Sequence, residues 1–465
     1  MLVFPVRWGY SRGVRALCRA DPGSIAPLVP AHPPVVLGTG DVYRKGTVTN
    51  EHLETGSRTE ELSRTRRHKR TRRTMITVSA TIVLGLALGA VATNTLDTRS
   101  PRELVSGTEE ATQAQECGSG QYHAEAVQDG STWTASNGDE VVHEGSDMLE
   151  AMRAAVDSLD PDRTEQQGVV VRGSGSMPAD TSLDLPSHTL LEVCGTIDVT
   201  GSVSADNAAV RIRHATDVTV PHLSLTGSPY FGVFVQSAEN VHFGQVDLRM
   251  SGGHGMRIDS RDNDTGRQAR DISIDDVYVS GTDNHGVETY GVDGFTVGTV
   301  TARDTAYSGL LLNDTENATV GLVDAENAGA DTGYAAFRMA NRNGRVGDAY
   351  PTNIHVGEVR ARGGGRGIFC VSESGGASID RVDIADTGGN AVLIENCHNV
   401  TIAEEEGTIA GPGDIRIAAR DEFANTSDIT LANLTVVGTE INESPCAENT
   451  VISDIVLDDS QDNSC

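Results

Sequence analysis

Two short stretches place unlike polar groups at matching positions, Ser251-Gly-Gly-His-Gly-Met-Arg-Ile-Asp259 and Gly281-Thr-Asp-Asn-His-Gly-Val-Glu-Thr-Tyr290. Each reaches His-Gly at a turn and then enters a short alternating strand. Laid over one another, they put His254 on His285, Arg257 on Glu288 and Asp259 on Tyr290. Imidazoles and carboxylates transfer protons, and guanidiniums hold carboxylates in a fixed fork. A phenol can protonate an oxygen or serve as a stacking platform. Each residue also has a plainer reading. A turn histidine is usually only solvated, and Glu288 can simply pair with Arg257.

A repeat brings the two stretches together. From about residue 168 the chain repeats a V-x-I-like strand, a turn, and a second strand that opens on Asn or Asp. The lead apolar positions of that second strand are Val218, Val241, Ile272, Phe295, Ala318, Ile354, Ala377, Val400 and Ile429. Their spacings, 23, 31, 23, 23, 36, 23, 23 and 29, describe a 23-residue coil with insertions of 8, 13 and 6 residues. One such coil cannot bury its apolar face, but parallel coils stacked about 4.8 Å apart can. The expected fold is all-β, a right-handed parallel β-helix. A propeller needs about 40 residues per blade, and a leucine-rich repeat needs its own consensus. The aromatic content of 4% suits a narrow core of Val, Ile, Leu and Ala.

The register then predicts a groove. The first insertion follows Asp259 and carries 261–270, and the second follows Arg338 and carries 341–345. Both leave the coil at the same point, so they are expected to rise as two walls about three coils, roughly 15 Å, apart. The turn residue before each strand glycine is Phe231, His254, His285 and Ser308, with Arg366 further on. Outward strand positions give Arg257, Glu288 and Leu311, then Asp259, Tyr290 and Asn313, with Arg338 placed to within one residue. Asn313 is also a glycosylation sequon, one of several.

Upstream, residues 130–143 read as a hairpin around Asn137-Gly138. Residues 146–159 read as an amphipathic helix suited to closing an open solenoid end. Its expected N-cap is Ser146, and its apolar stripe is Met148, Leu149, Met152, Ala155, Val156 and Leu159. Residues 1–74 show no sustained period and read as disordered, or as a start codon assigned too far upstream. Residues 75–92 carry an apolar run ending in Ala90-Val-Ala92, preceded by Arg72-Arg73. This is the pattern of a twin-arginine export signal, with a membrane anchor as the alternative. A polar linker, 93–120, leads into the β-helix domain, 121–465.

The formal charge is −30, and Lys69 is the last lysine. A long acidic, lysine-free domain looks like a secreted protein from a high-salt environment. Such a surface repels nucleic acid, and contact with a membrane is expected only through the N-terminal segment. Of seven cysteines, Cys18 lies in the leading segment. The other six suggest disulfides in an exported protein, with Cys370–Cys397 and Cys446–Cys465 suitably spaced.

The coils, the capping helix and Leu191-Glu-Val-Cys-Gly-Thr-Ile-Asp-Val199 resemble the pectin-lyase-like superfamily of polysaccharide lyases and hydrolases, over roughly residues 120–460. The resemblance implies a polysaccharide substrate. For a lyase acting by β-elimination on a uronic acid, His285 or His254 would be the base and Tyr290 the acid. Arg257 or Arg338 would hold the carboxylate, with Asp259, Asn313 and Arg366 as further substrate contacts. For a glycoside hydrolase, Asp259 and Glu288 would be the carboxylate pair. Gly253-His-Gly255 is similar to the His-containing motif of polygalacturonase-like hydrolases, without the paired aspartates that family places one coil earlier. The clustered acidic Ca²⁺ ligands of pectate lyases are not found, so no metal site is assigned and Ca²⁺ stays open as a cofactor. A third reading is a glycan-binding β-helix without catalysis.

Overall fold

The computed structural model describes residues 116–201, 207–261, 266–330 and 333–465. The export-signal pattern and the middle of the first insertion lie outside the described residues. Among the described residues, no helix is long and apolar enough to cross a membrane.

The chain enters through a three-stranded antiparallel meander, Ala124–Asp129, Thr132–Asn137 and Glu140–Gly145. Gly138, at a positive φ of 55°, makes the hairpin turn that Asn137-Gly138 predicts. The helix Met148–Asp157 follows. Its N-cap is Asp147, whose carboxylate accepts the Glu150 N–H at 3.0 Å, rather than the expected Ser146. The correction is one residue, because the side chain at 147 is the one in reach of the third helical amide. The predicted stripe Met148, Leu149, Met152, Ala155, Val156 and Leu159 is buried throughout.

From Gln167 onward the strands pair in parallel with the coil before and the coil after, forming a parallel β-helix. Its crossovers take the right-handed course expected of parallel connections. The repeat register holds at every step. Val218 pairs with Val241, Val241 with Ile272, and Ile272 with Phe295. Phe295 pairs with Ala318, Ala318 with Ile354, Ile354 with Ala377, Ala377 with Val400, and Val400 with Ile429. The residue before the lead position sits in the left-handed region at Asp217, Asn240, Asp271, Asn317, Asn399 and Asp428. Asp and Asn tolerate that conformation, which is why the repeat opens on them.

The interior is one column of stacked Val, Ile, Leu and Ala, with Phe243, Phe295 and Phe337 fully buried inside it. Each fully buried aliphatic or aromatic side chain contributes about 1.5–3 kcal/mol, so stability accrues coil by coil. Three disulfides pin the column. They are Cys117–Cys194 at the entry, Cys370–Cys397 between neighbouring coils, and Cys446–Cys465 at the last coil. They suit an oxidising compartment outside the cytosol.

Candidate active site

One face of the column carries the strands Phe231–Gln236, His254–Asp259, Val287–Tyr290, Leu310–Asn313 and Phe337–Ala340, stacked in that order. Arg257 lies opposite Glu288, Asp259 opposite Tyr290, Tyr290 opposite Asn313, and Leu311 opposite Arg338. The glycine after each histidine is structural. A Cβ on Gly255 would stand 2.2 Å from the Gly286 carbonyl oxygen, and one on Gly286 would stand 2.6 Å from that of Gly309. The coils therefore close tightly on a glycine column, and the preceding side chains form their own ladder. The His254 and His285 rings are 5.6 Å apart, and Phe231 is 5.4 Å from His254.

These side chains are far more buried than an open groove floor would be. His254 is 2%, Asn313 2%, Asp259 5%, His285 7% and Glu288 7% exposed. Arg257 is the hub. Its Nε and Nη2 donate to Asp259 Oδ2 at 2.9 and 2.8 Å, and its Nη1 lies 3.0 Å from Glu288 Oε2. Asp259 also accepts from Arg261, through the backbone N–H at 2.8 Å and Nη2 at 2.9 Å. Two arginines thus hold both oxygens of Asp259.

Glu288 is differently placed. Its Oε1 accepts from Asn313 Nδ2 at 3.1 Å, and Asn313 Oδ1 in turn accepts from Asn341 Nδ2 at 2.7 Å. Its Oε2 is sealed and makes no hydrogen bond, because Arg257 approaches off the bonding direction. Opposite it, 3.7 Å away, is His254 Nε2, also sealed and unbonded. Burial pushes the Glu288 carboxyl up, against Arg257, and holds His254 well below its ordinary value. The Met256 backbone acts in the opposite direction, favouring the charged form. His254 Nε2 and Glu288 Oε2 thus face each other with no hydrogen-bond partner of their own.

The two histidines are not interchangeable. His285 Nδ1 accepts the Ser308 N–H at 3.1 Å. Burial first, then Arg338 and Arg257, lowers its pKa to about 3. Neutral His285 must therefore carry its proton on Nε2, which makes it a hydrogen-bond donor. Of the two histidines expected to supply the base, His285 is thus the one with a proton to donate. The expected acid, Tyr290, stands opposite Asp259 on the same face. Tyr290 lies five residues along the strand from His285, or roughly 16 Å at the strand rise. Its ring lies under the Arg261 guanidinium at 3.6 Å, and burial raises its pKa.

The phenols packed on His285 come from a different row of the coils. Tyr307 and Tyr334 stack at 3.9 Å, and both meet His285 edge-on at 5.3 and 5.5 Å. Tyr230 meets Phe231 edge-on at 4.7 Å. All three sit one residue upstream of the ladder position, at 230, 307 and 334. That offset was the available signal. Tyr230, Phe231 and Arg257 line two adjoining clefts, of about 220 Å³ towards His254 and Asp283 and about 300 Å³ towards Arg213 and Arg261.

Of the two expected walls, the first begins with Arg261 folded back over Tyr290 and Asp259. The second does not border the histidines. Its Tyr350 packs on His398 at 4.9 Å, and its backbone accepts from Asn399 at 2.8 Å, so it leans over later coils. Its contribution to the site is its first residue, Asn341. Arg338 and Arg366 extend the same face beyond Tyr334, both packed against the Phe369 ring. Among the described residues, the grouping close enough to share a cation is Cys117, Glu192 and His222, and Cys117 is committed to its disulfide.

No protein-family model matches the sequence, and no curated protein matches it. Solved structures do align. The A-module of a mannuronan C-5 epimerase from Azotobacter vinelandii gives a TM-score of 0.45 at 14% identity, over 68% of this chain and 92% of that one. A second A-module from the same organism gives 0.41 at 15% identity, over 67% of this chain and 95% of that one. A surface protein and adhesin of Streptococcus pneumoniae gives 0.32 at 11% identity, over 68% of this chain and 94% of that one. Likenesses this remote say nothing about the reaction.

Proposed function

We propose that the chain is an exported polysaccharide lyase that removes the proton α to the carboxylate of a uronic-acid unit and expels the neighbouring sugar by β-elimination. Export by the twin-arginine route is part of the proposal. The observation that carries it is Arg257, which links Asp259 to a Glu288 carboxyl facing the His254 imidazole. A substrate carboxylate competes for the same guanidinium. When Arg257 turns to it, Glu288 loses its counter-charge and, together with His254, becomes a stronger base. The C–H electron pair moves towards the substrate carboxyl, and the bond to the leaving oxygen then breaks. His285 Nε2–H donates to the developing negative charge, as a neutral imidazole can without losing its proton. Tyr307 and Tyr334, beside His285, are the phenols placed to protonate the leaving oxygen.

Hydrolysis by Asp259 and Glu288 is less favoured, because both Asp259 oxygens are already held by arginines. The test is a panel of uronic-acid polymers in high salt and deuterated water, followed by ultraviolet absorbance and product mass. Absorbing products, each lighter by one water than the hydrolytic equivalent, are expected. Rising reducing ends without absorbance would establish hydrolysis instead. Deuterium uptake without chain cleavage would mean that the abstracted proton is returned. Binding with none of these would leave a glycan-binding protein.

A further inference from the structure

The chain carries −30 formal charges, and most of its described arginines lie against carboxylates. Arg338 and Arg366 are different. Arg338 Nε and Arg366 Nη1 are sealed from solvent without a hydrogen-bond partner. The one hydrogen bond recorded for either guanidinium, among the described residues, is from Arg366 Nε to Asn390 Oδ1 at 3.0 Å. Both lie over the Phe369 ring, at 5.3 and 4.8 Å from its centroid.

The carboxylates whose fields reach them are committed elsewhere. Glu395 pairs with Arg420 at 2.7 Å. Asp414 accepts from Asn390 at 2.5 Å and Asn442 at 3.1 Å. Glu288 is engaged by Asn313 and Arg257. Two neighbouring, partly desolvated cations without a counter-ion are costly, and acidic residues are plentiful in this chain. Their isolation is understandable if an external anion completes the site.

We propose that Arg338 and Arg366, both against the Phe369 ring, form an oxyanion-binding site that takes a carboxylate of a further unit of the polymer. Arg338 is three coils from Arg257 through Glu288 and Leu311. The two sites are therefore roughly 14 Å apart along the stacking direction. A chain bridging them must bear negative charge on more than one unit. The ring of Phe369 supplies an apolar floor, and the guanidiniums packed against it supply forked donors. The polymer part of this inference rests on the function proposed above, whereas the anion site does not.

The experiment has two arms, each on the folded full-length protein. The first measures Tm while sulfate replaces chloride at constant ionic strength. A saturable rise is expected in the wild type and is expected to vanish in Arg338→Gln and in Arg366→Gln. Without anion, each variant should melt at or above the wild type, since an uncompensated buried charge has been removed. A purely packing role would lower Tm instead. No sulfate response in the wild type, or an equal response in both variants, overturns the site. The second arm measures Kd for oligouronates of increasing length. Long oligomers should bind both variants at least tenfold more weakly, while short ones that reach only Arg257 should be unaffected. A sulfate response with no oligouronate binding would leave the anion site standing and remove the uronate reading. Equal affinity of variants and wild type for long oligomers would overturn the bridging role.

Discussion

His254 Nε2 and Glu288 Oε2 face one another 3.7 Å apart, both sealed and neither hydrogen-bonded. Buried polar atoms left in this state are uncommon, and here the two are complementary if one proton lies between them. Glu288→Gln replaces the carboxyl with an amide that can pair with the same imidazole nitrogen in either tautomer. Thermal unfolding should be unchanged or improved by about 1 kcal/mol. Turnover on a uronate polymer should fall by about 100-fold or more. Full turnover in a folded Gln variant would remove Glu288 from the chemistry.

His285 makes the fold acid-sensitive. Its folded pKa, about 3, lies below the ordinary value of 6.5. The unfolded chain therefore takes up a proton that the folded chain refuses, and stability falls as pH drops from about 6.5 towards 3. The full linkage is on the order of 4–5 kcal/mol. His285→Gln should flatten the stability-against-pH curve across that window. His254 is shifted in the same direction and contributes to the remaining slope. A variant curve parallel to the wild type would show that His285 is not buried as described.

The glycine column predicts a conformational requirement unrelated to chemistry. Gly255→Ala places a methyl 2.2 Å from the Gly286 carbonyl oxygen and 2.8 Å from Val279 Cγ2. Neither backbone can yield without separating two coils, so a loss of about 2 kcal/mol or more is expected in chemical denaturation. Gly138→Ala, at a turn where the added carbon meets nothing, should lose less.

At the entry, Asp147→Ala should cost about 1 kcal/mol by leaving the Glu150 N–H uncapped, whereas Ser146→Ala should be neutral. The two melting temperatures decide which residue is the cap.

Much of this was legible because parallel coils copy their register from one turn to the next. Nine lead positions fixed every pairing of the second strand, and the same arithmetic put Arg257 beside Glu288, whereas Arg338, placed only to within one residue, needed the structure to set it opposite Leu311. Spacing carries no information on depth, so the predicted open floor proved to be a nearly closed one. Tautomers were equally hidden. His254 and His285 occupy the same place in their coils, yet one faces a carboxyl and the other accepts a backbone N–H, a difference set by neighbouring coils. The direction of the second insertion depended on Tyr350 finding His398, a contact across 48 residues that no local pattern encodes.

The two ends of the column are unlike, and this gives the molecule a direction in which to come apart. The first coils are shielded by a helix whose apolar side is fully covered, while the last coil leaves Val451, Val456 and Leu457 about half open to water. Each coil is held mainly by its immediate neighbours, so fraying should start at the last coil and travel backwards. The Cys446–Cys465 bridge closes that coil on itself. Cys370–Cys397 stands between it and the histidines as a second stop. Reducing agent should thus release amide protons to exchange at 440–463 well before 254–290, and the protein should lose its tail while the reactive face stays assembled.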